Sequence, residues 1–225
     1  MEGIRKNITL IIPALNEEGC IGQVLKAVPD DLVSEIIVVD GHSTDNTVPE
    51  AREALGTRGK VIIQTRRGFG GALYDAIDTV QNEVLVIMDA DGSQNPADIS
   101  RLLEKYDDNS VVMGSRYAKG AKSEDDTLIR GFGNWLFTTL TNLVHGTRVS
   151  DSLYFFFAIS RENFKRLGLE SQDYGICIEF LVKAKRAGLN FKEIPVIERP
   201  RLHGESKVNA FRDGLKILRV ILRKY

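Results

Sequence analysis

Asp89 and Asp91 stand one residue apart in Asp89-Ala90-Asp91, directly after Glu83-Val84-Leu85-Val86-Ile87-Met88. That apolar run reads as a buried strand, and extended backbone points alternate side chains the same way. Two carboxylates converging at the carboxyl end of a strand are costly unless a cation lies between them. The usual answer is a divalent metal with oxygen ligands, often carrying a phosphate substrate. Phosphate handling is therefore the first expectation. Asp40, opening Asp40-Gly41-His42-Ser43-Thr44-Asp45, closes an earlier apolar run. A carboxylate there could hydrogen-bond a ribose hydroxyl or a base. Its plain reading is a helix-capping loop, with His42 an exposed loop residue.

Arg201-Leu202-His203-Gly204-Glu205-Ser206-Lys207 is the second informative segment. Gly204 permits close backbone approach, and Arg201, Ser206 and Lys207 supply two cations and a hydroxyl suited to a diphosphate. A solvated basic loop would have the same composition. Arg116 and Arg130 flank a polar stretch and form a second phosphate clamp on paper. Gly68-Phe69-Gly70-Gly71 lacks the G-x-G-x-x-G order. It reads as a strand-to-helix turn, although Arg66 and Arg67 beside it could face a phosphate. Pro13-Ala14-Leu15-Asn16-Glu17-Glu18 reads as a capped helix start with Asn16 as cap.

The elements that position these residues alternate. Ile8–Ile12, Glu35–Val39, Lys60–Gln64, Glu83–Met88 and Ser110–Met113 read as short buried strands. Helical patterns lie near Glu17–Val28, Asp45–Leu55, Gly71–Val80 and Pro96–Tyr106, with Ser43 or Thr44 and Asn95-Pro96 as start signals. Such alternation predicts an α/β layered fold with a mostly parallel sheet, whose ligands bind at the carboxyl ends of strands. Asp40 and Asp89 both fall on that edge. Residues Lys119 to Thr127 read as a mobile polar loop. Phe132 to Val144 is apolar at helical spacing, and Leu153 to Ile159 is a dense apolar run. Gly175–Ala187 reads as a helix and Phe191–Ile197 as a last strand, with Pro195 favouring an edge. A single domain over residues 1–225 is expected.

With 225 residues, 43% of them hydrophobic and 27% charged, the chain is long enough for a substantial core and ordinary for a soluble protein. Cys20 and Cys177 are far apart and offer neither a disulfide framework nor zinc spacing. No secretory signal is visible, and no apolar run approaches the roughly 20 residues of a spanning helix. A cytoplasmic location is the default. The net charge is −1, but residues 199–225 hold eight Lys or Arg against two acids. That segment is +6, leaving −7 on the first 198 residues. A basic tail suggests an anionic partner, phosphate groups or an acidic membrane. In the tail, Phe211, Leu215, Leu218 and Leu222 share one helical face, with Arg212, Lys216, Arg219 and Arg223 one position on. This stripe and the aromatic segment Phe132–Val144 suit a membrane surface when exposed and a core when buried.

Taken together, these motifs resemble the family 2 glycosyltransferases with a GT-A fold, in particular the dolichyl-phosphate mannose and glucose synthase branch. The resemblance runs through Ile11-Ile12-Pro13-Ala14-Leu15-Asn16-Glu17-Glu18, Val38 to Thr47, Met88-Asp89-Ala90-Asp91-Gly92-Ser93, Gly114-Ser115-Arg116-Tyr117, Glu193-Ile194-Pro195-Val196 and Arg201 to Lys207. It departs at Asp40-Gly41-His42-Ser43, where Asp-Asp-Gly-Ser is commoner, and at Leu153-Tyr154-Phe155-Phe156-Phe157, where Ser-Gly-Phe or Tyr-Gly-Tyr is common.

The resemblance implies a Rossmann-like, mostly parallel sheet flanked by helices, with C-terminal amphipathic helices. Residues 1–117 would carry the donor, and 118–225 the acceptor and the membrane interface. Pro13, Leu15, Glu17, Asp40 and Ala90 would hold the nucleotide, and Asp89 and Asp91 an Mg²⁺ or Mn²⁺ on its diphosphate. Gln94 would lie near the sugar. Arg201, Ser206 and Lys207 would close over the leaving diphosphate, and Arg116 and Arg130 would hold the acceptor phosphate. The reaction implied is inverting transfer of a hexose from a GDP- or UDP-sugar, GDP-mannose first, to dolichyl or polyprenyl phosphate. It would occur peripherally at the cytoplasmic face of a membrane, with a separate anchoring subunit as a further partner and no nucleic acid. Rival readings are a haloacid-dehalogenase-type phosphatase, which normally carries its Asp-x-Asp on an early strand, and a non-catalytic sugar-nucleotide-binding membrane subunit. A nucleotidyltransferase would want a glycine-rich loop after the first strand, which Pro13–Glu18 does not supply.

Overall fold

A computed structural model describes residues 7–203, 210–223 and 225. The first half alternates as the sequence predicts: β1 (Ile8–Ala14), α1 (Ile21–Ala27), β2 (Glu35–Asp40), α2 (Thr47–Leu55), β3 (Gly59–Ile63), α3 (Gly68–Thr79), β4 (Val84–Ile87), α4 (Asp98–Lys105) and β5 (Ser110–Ser115). The second half runs β6 (Lys122–Ser123), α5 (Leu128–His145), β7 (Phe157–Ser160), α6 (Arg161–Arg166), α7 (Ile176–Arg186), β8 (Asn190–Pro195), β9 (Ile197–Glu198) and α8 (Ala210–Ile221).

Seven strands form one sheet in the order β3-β2-β1-β4-β7-β5-β8. All neighbours are parallel except β7, which runs antiparallel to both β4 and β5. Alternate side chains of each strand feed opposite faces. Leu10, Ile12, Ile36 and Val38 pack on one side, beneath α1, α2 and α4. Ile11, Ile37, Val39, Leu85 and Ile87 pack on the other, with α3 and α7. Burial on both faces is why these strands read as continuous apolar runs. Pro195 ends β8, an edge strand, where its missing N–H costs no ladder bond.

From β1 the chain steps outward to β2 and β3, then returns to place β4 on the other side of β1. Ligands of open α/β sheets bind in the crevice at such a reversal, beyond the carboxyl ends of the strands. The residues following β1 and β4, Pro13 to Glu17 and Asp89 to Gln94, flank that crevice.

Several local expectations change. The first helix begins at Ile21, not Glu17, and Asn16 is not its cap. Asn16 sits at φ 51°, and its side-chain oxygen accepts from the Thr44 amide at 2.8 Å. The stretch from Lys119 to Thr127 is not a free loop. Its Lys122–Ser123 pairs with Ile197–Glu198 in a small parallel ladder, and Ser123 hydrogen-bonds the Glu198 carboxylate.

The two amphipathic segments also resolve. α5 buries Asn134, Thr138 and Thr141 while Leu128 is 95% exposed, Phe132 61% and Trp135 59%. It is an inverted amphipathic helix, polar within and apolar without. α8 packs through Ile217 and Ile221 against Ile178 and Val182. The stripe expected to form its apolar face points outward at Leu215 and Leu222. Among the described residues no helix is long and apolar enough to cross a membrane.

Candidate active site

Parallel register sets Ala14 beside Asp40 at the carboxyl edge of β1 and β2. The loops after these strands are sewn together. The Asn16 amide donates to Ser43 Oγ at 2.8 Å, the Glu17 amide to Thr47 Oγ1 at 2.7 Å, and the Gly19 amide to Glu50 Oε2 at 2.8 Å. The loop that might merely cap α2 thus fixes Pro13, half-buried, and Leu15, exposed, at the crevice. Asp40 is 2% exposed. Its Oδ2 accepts from the Ser43 amide at 3.1 Å, and its buried Oδ1 has no hydrogen-bond partner among the described residues. A buried acceptor left unmade costs about 1–3 kcal/mol, which a donor from a bound base or ribose would offset.

Asp89 lies two residues past β4. Gln94 grips it twice: its amide side chain donates to Asp89 Oδ2 at 2.9 Å and accepts from the Asp89 amide at 2.9 Å. The Ser93 amide donates to Asp91 Oδ1 at 2.9 Å, while Arg201 Nη1 meets Asp91 Oδ2 at 2.7 Å. Burial first, and the Asp91 carboxylate second, push Asp89 up to about 8. Ala90 between them is buried. The chain from Arg199 to Leu202 lies as a strap over this turn. The Arg199 amide donates to the Ser93 carbonyl at 2.9 Å and the Leu202 amide to the Asp91 carbonyl at 3.1 Å.

No group of three or more His, Cys, Asp or Glu among the described residues could cage a metal. Two hard carboxylates that burden one another fit a different case, in which a divalent cation takes one or two protein carboxylates and completes its shell with substrate phosphate oxygens and water. The donor set therefore suits Mg²⁺ or Mn²⁺ bound together with a diphosphate.

Arg116 does not stand open. Its Nε donates to Asp151 Oδ2 at 2.8 Å and Nη2 to Asp151 Oδ1 at 3.1 Å. Nη1 is held more loosely, at 3.3 and 3.5 Å from the Glu198 oxygens and 4.0 Å from Asp126. Its guanidinium lies 5.0 Å from the Tyr154 ring centroid. Arg130, on the first turn of α5, pairs with Asp125 Oδ2 at 3.1 Å. The same oxygen is 4.0 Å from Arg201 Nε. Asp91, Arg201, Asp125 and Arg130 therefore form one alternating chain of charge. Ser206 and Lys207 lie outside the described residues.

The sequence motifs assign no site role to Asp151, Glu198, Asp125 or Asn134. Asp151 precedes an apolar run, as Gly114-Ser115-Arg116 follows one, so its pairing was open to the same argument that found Asp89. Glu198 offered no signal, because its role depends on the β6–β9 ladder. Asn134 is buried, with neither side-chain polar atom partnered among the described residues, and only the inverted face of α5 reveals it.

A mostly parallel seven-stranded sheet with an acidic pair, a nearby buried carboxylate and an arginine strap at its carboxyl edge defines a protein of the GT-A fold class. The Glycosyl transferase family 2 model matches residues 9–168, and the chain belongs to that family. It is 30% identical to the UDP-N-acetylglucosamine–dolichyl-phosphate N-acetylglucosaminyltransferase of Methanococcus voltae, over 85% of each chain. It is 29% identical to the dolichyl-phosphate hexose transferase of Haloferax volcanii, over 96% of this chain and 93% of that one. The fold matches glucosyl-3-phosphoglycerate synthase from Mycobacterium tuberculosis, a complex with Mn²⁺ and UDP. That match has a TM-score of 0.75 and 22% identity over 96% of this chain and 79% of that one. Membership displaces the phosphatase reading: the protein is a glycosyltransferase.

Proposed function

We propose that the protein transfers a hexose, with inversion, from a nucleotide sugar to a polyprenyl phosphate such as dolichyl phosphate. The observation that carries this reading is the buried Asp40 Oδ1, unpartnered among the described residues, beside an Asp89–Asp91 pair clamped by Gln94 and Arg201. Asp40, with Pro13, Leu15, Glu17 and Ala90, holds the nucleoside. The donor is GDP-mannose or a UDP-hexose. The names of the relatives favour the dolichyl-phosphate acceptor, and one of them names a UDP-sugar.

Mg²⁺ or Mn²⁺ held by Asp89 and Asp91 would neutralise the diphosphate as it leaves. The residues of the chain do the rest. Arg201, with Ser206 and Lys207, grips the diphosphate after exchanging Asp91 for phosphate oxygens. Arg130 and the loosely held Nη1 edge of Arg116 receive the acceptor phosphate, while Asp151 fixes the other edge of Arg116. A phosphate monoester, with a second pKa near ~6, is mostly dianionic at neutral pH, so it attacks the anomeric carbon without a protein base. The exposed apolar face of α5 brings the enzyme to the membrane where a polyprenyl chain resides. Residues 1–117 chiefly serve the donor and 118–225 the acceptor and membrane, peripherally on the cytoplasmic side, with Arg116 reaching across to the acceptor and Arg201 to the donor.

A thermal-shift screen of GDP- and UDP-sugars with and without Mn²⁺, followed by turnover on a polyprenyl phosphate, tests this. A metal-dependent shift with one donor and transfer to lipid phosphate is expected, both lost in Asp91→Ala with its fold intact. Donor binding without turnover on any polyprenyl phosphate would favour the non-catalytic subunit.

A further inference from the structure

A shallow depression of about 470 Å³, open to solvent, lies between the start of α3, the 171–173 segment and α8. None of its lining residues belongs to the Asp40, Asp89, Asp91 and Arg201 cluster. Arg67, Lys216 and Arg219 line it together with Ser171, Gln172 and Asp173. Lys216 pairs with Asp173 at 3.2 Å. Asp173 also accepts from the Gly175 amide at 2.9 Å, so the single acid is doubly engaged. No described carboxylate pairs with Arg67 or Arg219.

The walls are built, not draped. Tyr74 donates its hydroxyl to the Ser171 carbonyl at 2.8 Å, and the buried Glu179 carboxylate accepts from the Ser171 amide at 2.7 Å. The Gly70 amide donates to the Gln172 carbonyl at 2.9 Å. A Cβ on Gly68 would stand 2.2 Å from that same carbonyl oxygen, so only glycine lets α3 close this tightly on the segment. Among the described lining residues, Arg67, Lys216 and Arg219 outnumber Asp173, which gives the depression a positive character.

We propose that this depression binds a phosphate-bearing anion, and that its source is the headgroup of an acidic phospholipid. Arg219 stands between the exposed Leu215 and Leu222 at the i, i+4, i+7 spacing of one helix face. Leucines on such a face enter the acyl boundary while the cation between them stays at phosphate depth. The proposal rests on the membrane part of the function above and adds to it a defined lipid-recognition site. The enzyme would thereby be held on anionic membranes, with α8 flat against the surface.

The test uses the full chain and the double variant Arg67→Gln/Arg219→Gln in vesicle co-sedimentation. One set of vesicles is phosphatidylcholine alone; the other is phosphatidylcholine and phosphatidylglycerol in equal parts. The wild type should prefer the acidic vesicles. The variant should lose about five-fold for each charge removed, about thirty-fold together, with binding to neutral vesicles and thermal stability unchanged. Transfer in detergent micelles should match the wild type, since neither arginine serves the donor site. Undiminished acidic binding by the variant overturns the site alone. A wild type that binds neither vesicle overturns the membrane reading and this proposal with it. A third arm measures the thermal shift by glycerol 3-phosphate. A shift in the wild type that the variant loses, without any vesicle preference, overturns the lipid source in favour of a soluble phosphate ester.

Discussion

Arg201 Nη1 lies 2.7 Å from Asp91 Oδ2, so a protein guanidinium occupies one side of the carboxylate pair that the proposed metal would share. The same arginine is 4.0 Å from Asp125, which gives it a second anion to move toward. Two opposing effects follow from removing it. The carboxylates lose their resident cation, and a divalent ion should bind them more tightly. The leaving diphosphate loses a positioned donor, which typically costs about 10²–10³-fold in turnover. In Arg201→Gln, Mn²⁺ affinity measured by calorimetry should rise, by roughly ten- to hundred-fold, for a charge-assisted contact of about 1.5–3 kcal/mol. Transfer should fall by at least a hundred-fold. Weaker Mn²⁺ binding in the variant would show that Arg201 supports the metal instead of competing with it.

The strap that carries Arg201 depends on Gly92. At φ +78° a side chain is strained there, and a Cβ would lie 2.5 Å from Leu202 Cδ1. Gly92→Ala should lower stability by about 1–2 kcal/mol from the backbone alone, with a further loss as Leu202 is pushed out. Adding Leu202→Ala should recover the steric part and leave the backbone part. Chemical denaturation of the two variants separates them. Equal stability of the single and double variants would show that the strap yields freely.

How much of this was legible follows from what each residue depends on. Asp89 and Asp40 were visible because each closes a buried parallel strand, and a strand end is a local event. Asp-x-Asp alternation gave the convergence of the pair, and the turn that Gly92 permits gave its final geometry. Arg116 was visible as a cation but not as a bound one. Its partners Asp151 and Glu198 arrive from 35 and 82 residues away, through the antiparallel insertion of β7 and the β6–β9 ladder. No period in the sequence encodes such pairings. The Lys119–Thr127 segment misled for the same reason, since a two-residue strand leaves no pattern. α5 was ambiguous because helical periodicity marks two faces without saying which is turned inward. Asn134, Thr138 and Thr141 decide it, and polar residues are rarely taken as the buried side.

Glu198 offers a pH test of the ion-pair network. Burial pushes its carboxyl above the ordinary range, with Arg116 pulling the other way. A carboxyl raised in the folded state binds its proton more tightly there than in the unfolded chain. Its contribution to stability is full below the unfolded pKa, about 4.3, and is lost as pH rises through the raised value. Glu198→Gln keeps an acceptor for Ser123 and removes the titration. Melting temperatures of both proteins from pH 4 to pH 8 should show the variant gaining on the wild type as pH rises. A constant gap across that range would place the Glu198 carboxyl at its ordinary value.

The apolar face of α5 makes the sharpest separation between membrane binding and folding. Phe132 and Trp135 are more than half exposed and lie 5.7 Å apart between ring centroids, so neither is needed by the core. Transferring one such side chain from water into an apolar phase is worth about 1.5–3 kcal/mol. Phe132→Ser and Trp135→Ser should each weaken partitioning onto neutral phosphatidylcholine vesicles by roughly ten- to hundred-fold. Neutral vesicles keep the basic depression beside α8 out of the measurement. Thermal stability should stay within about 0.5 kcal/mol, as for surface positions generally. Transfer to a polyprenyl phosphate presented in vesicles should fall with the partitioning. Unchanged vesicle binding together with a large loss of stability would mean that the face is covered by protein, and that α5 meets a partner chain instead of lipid.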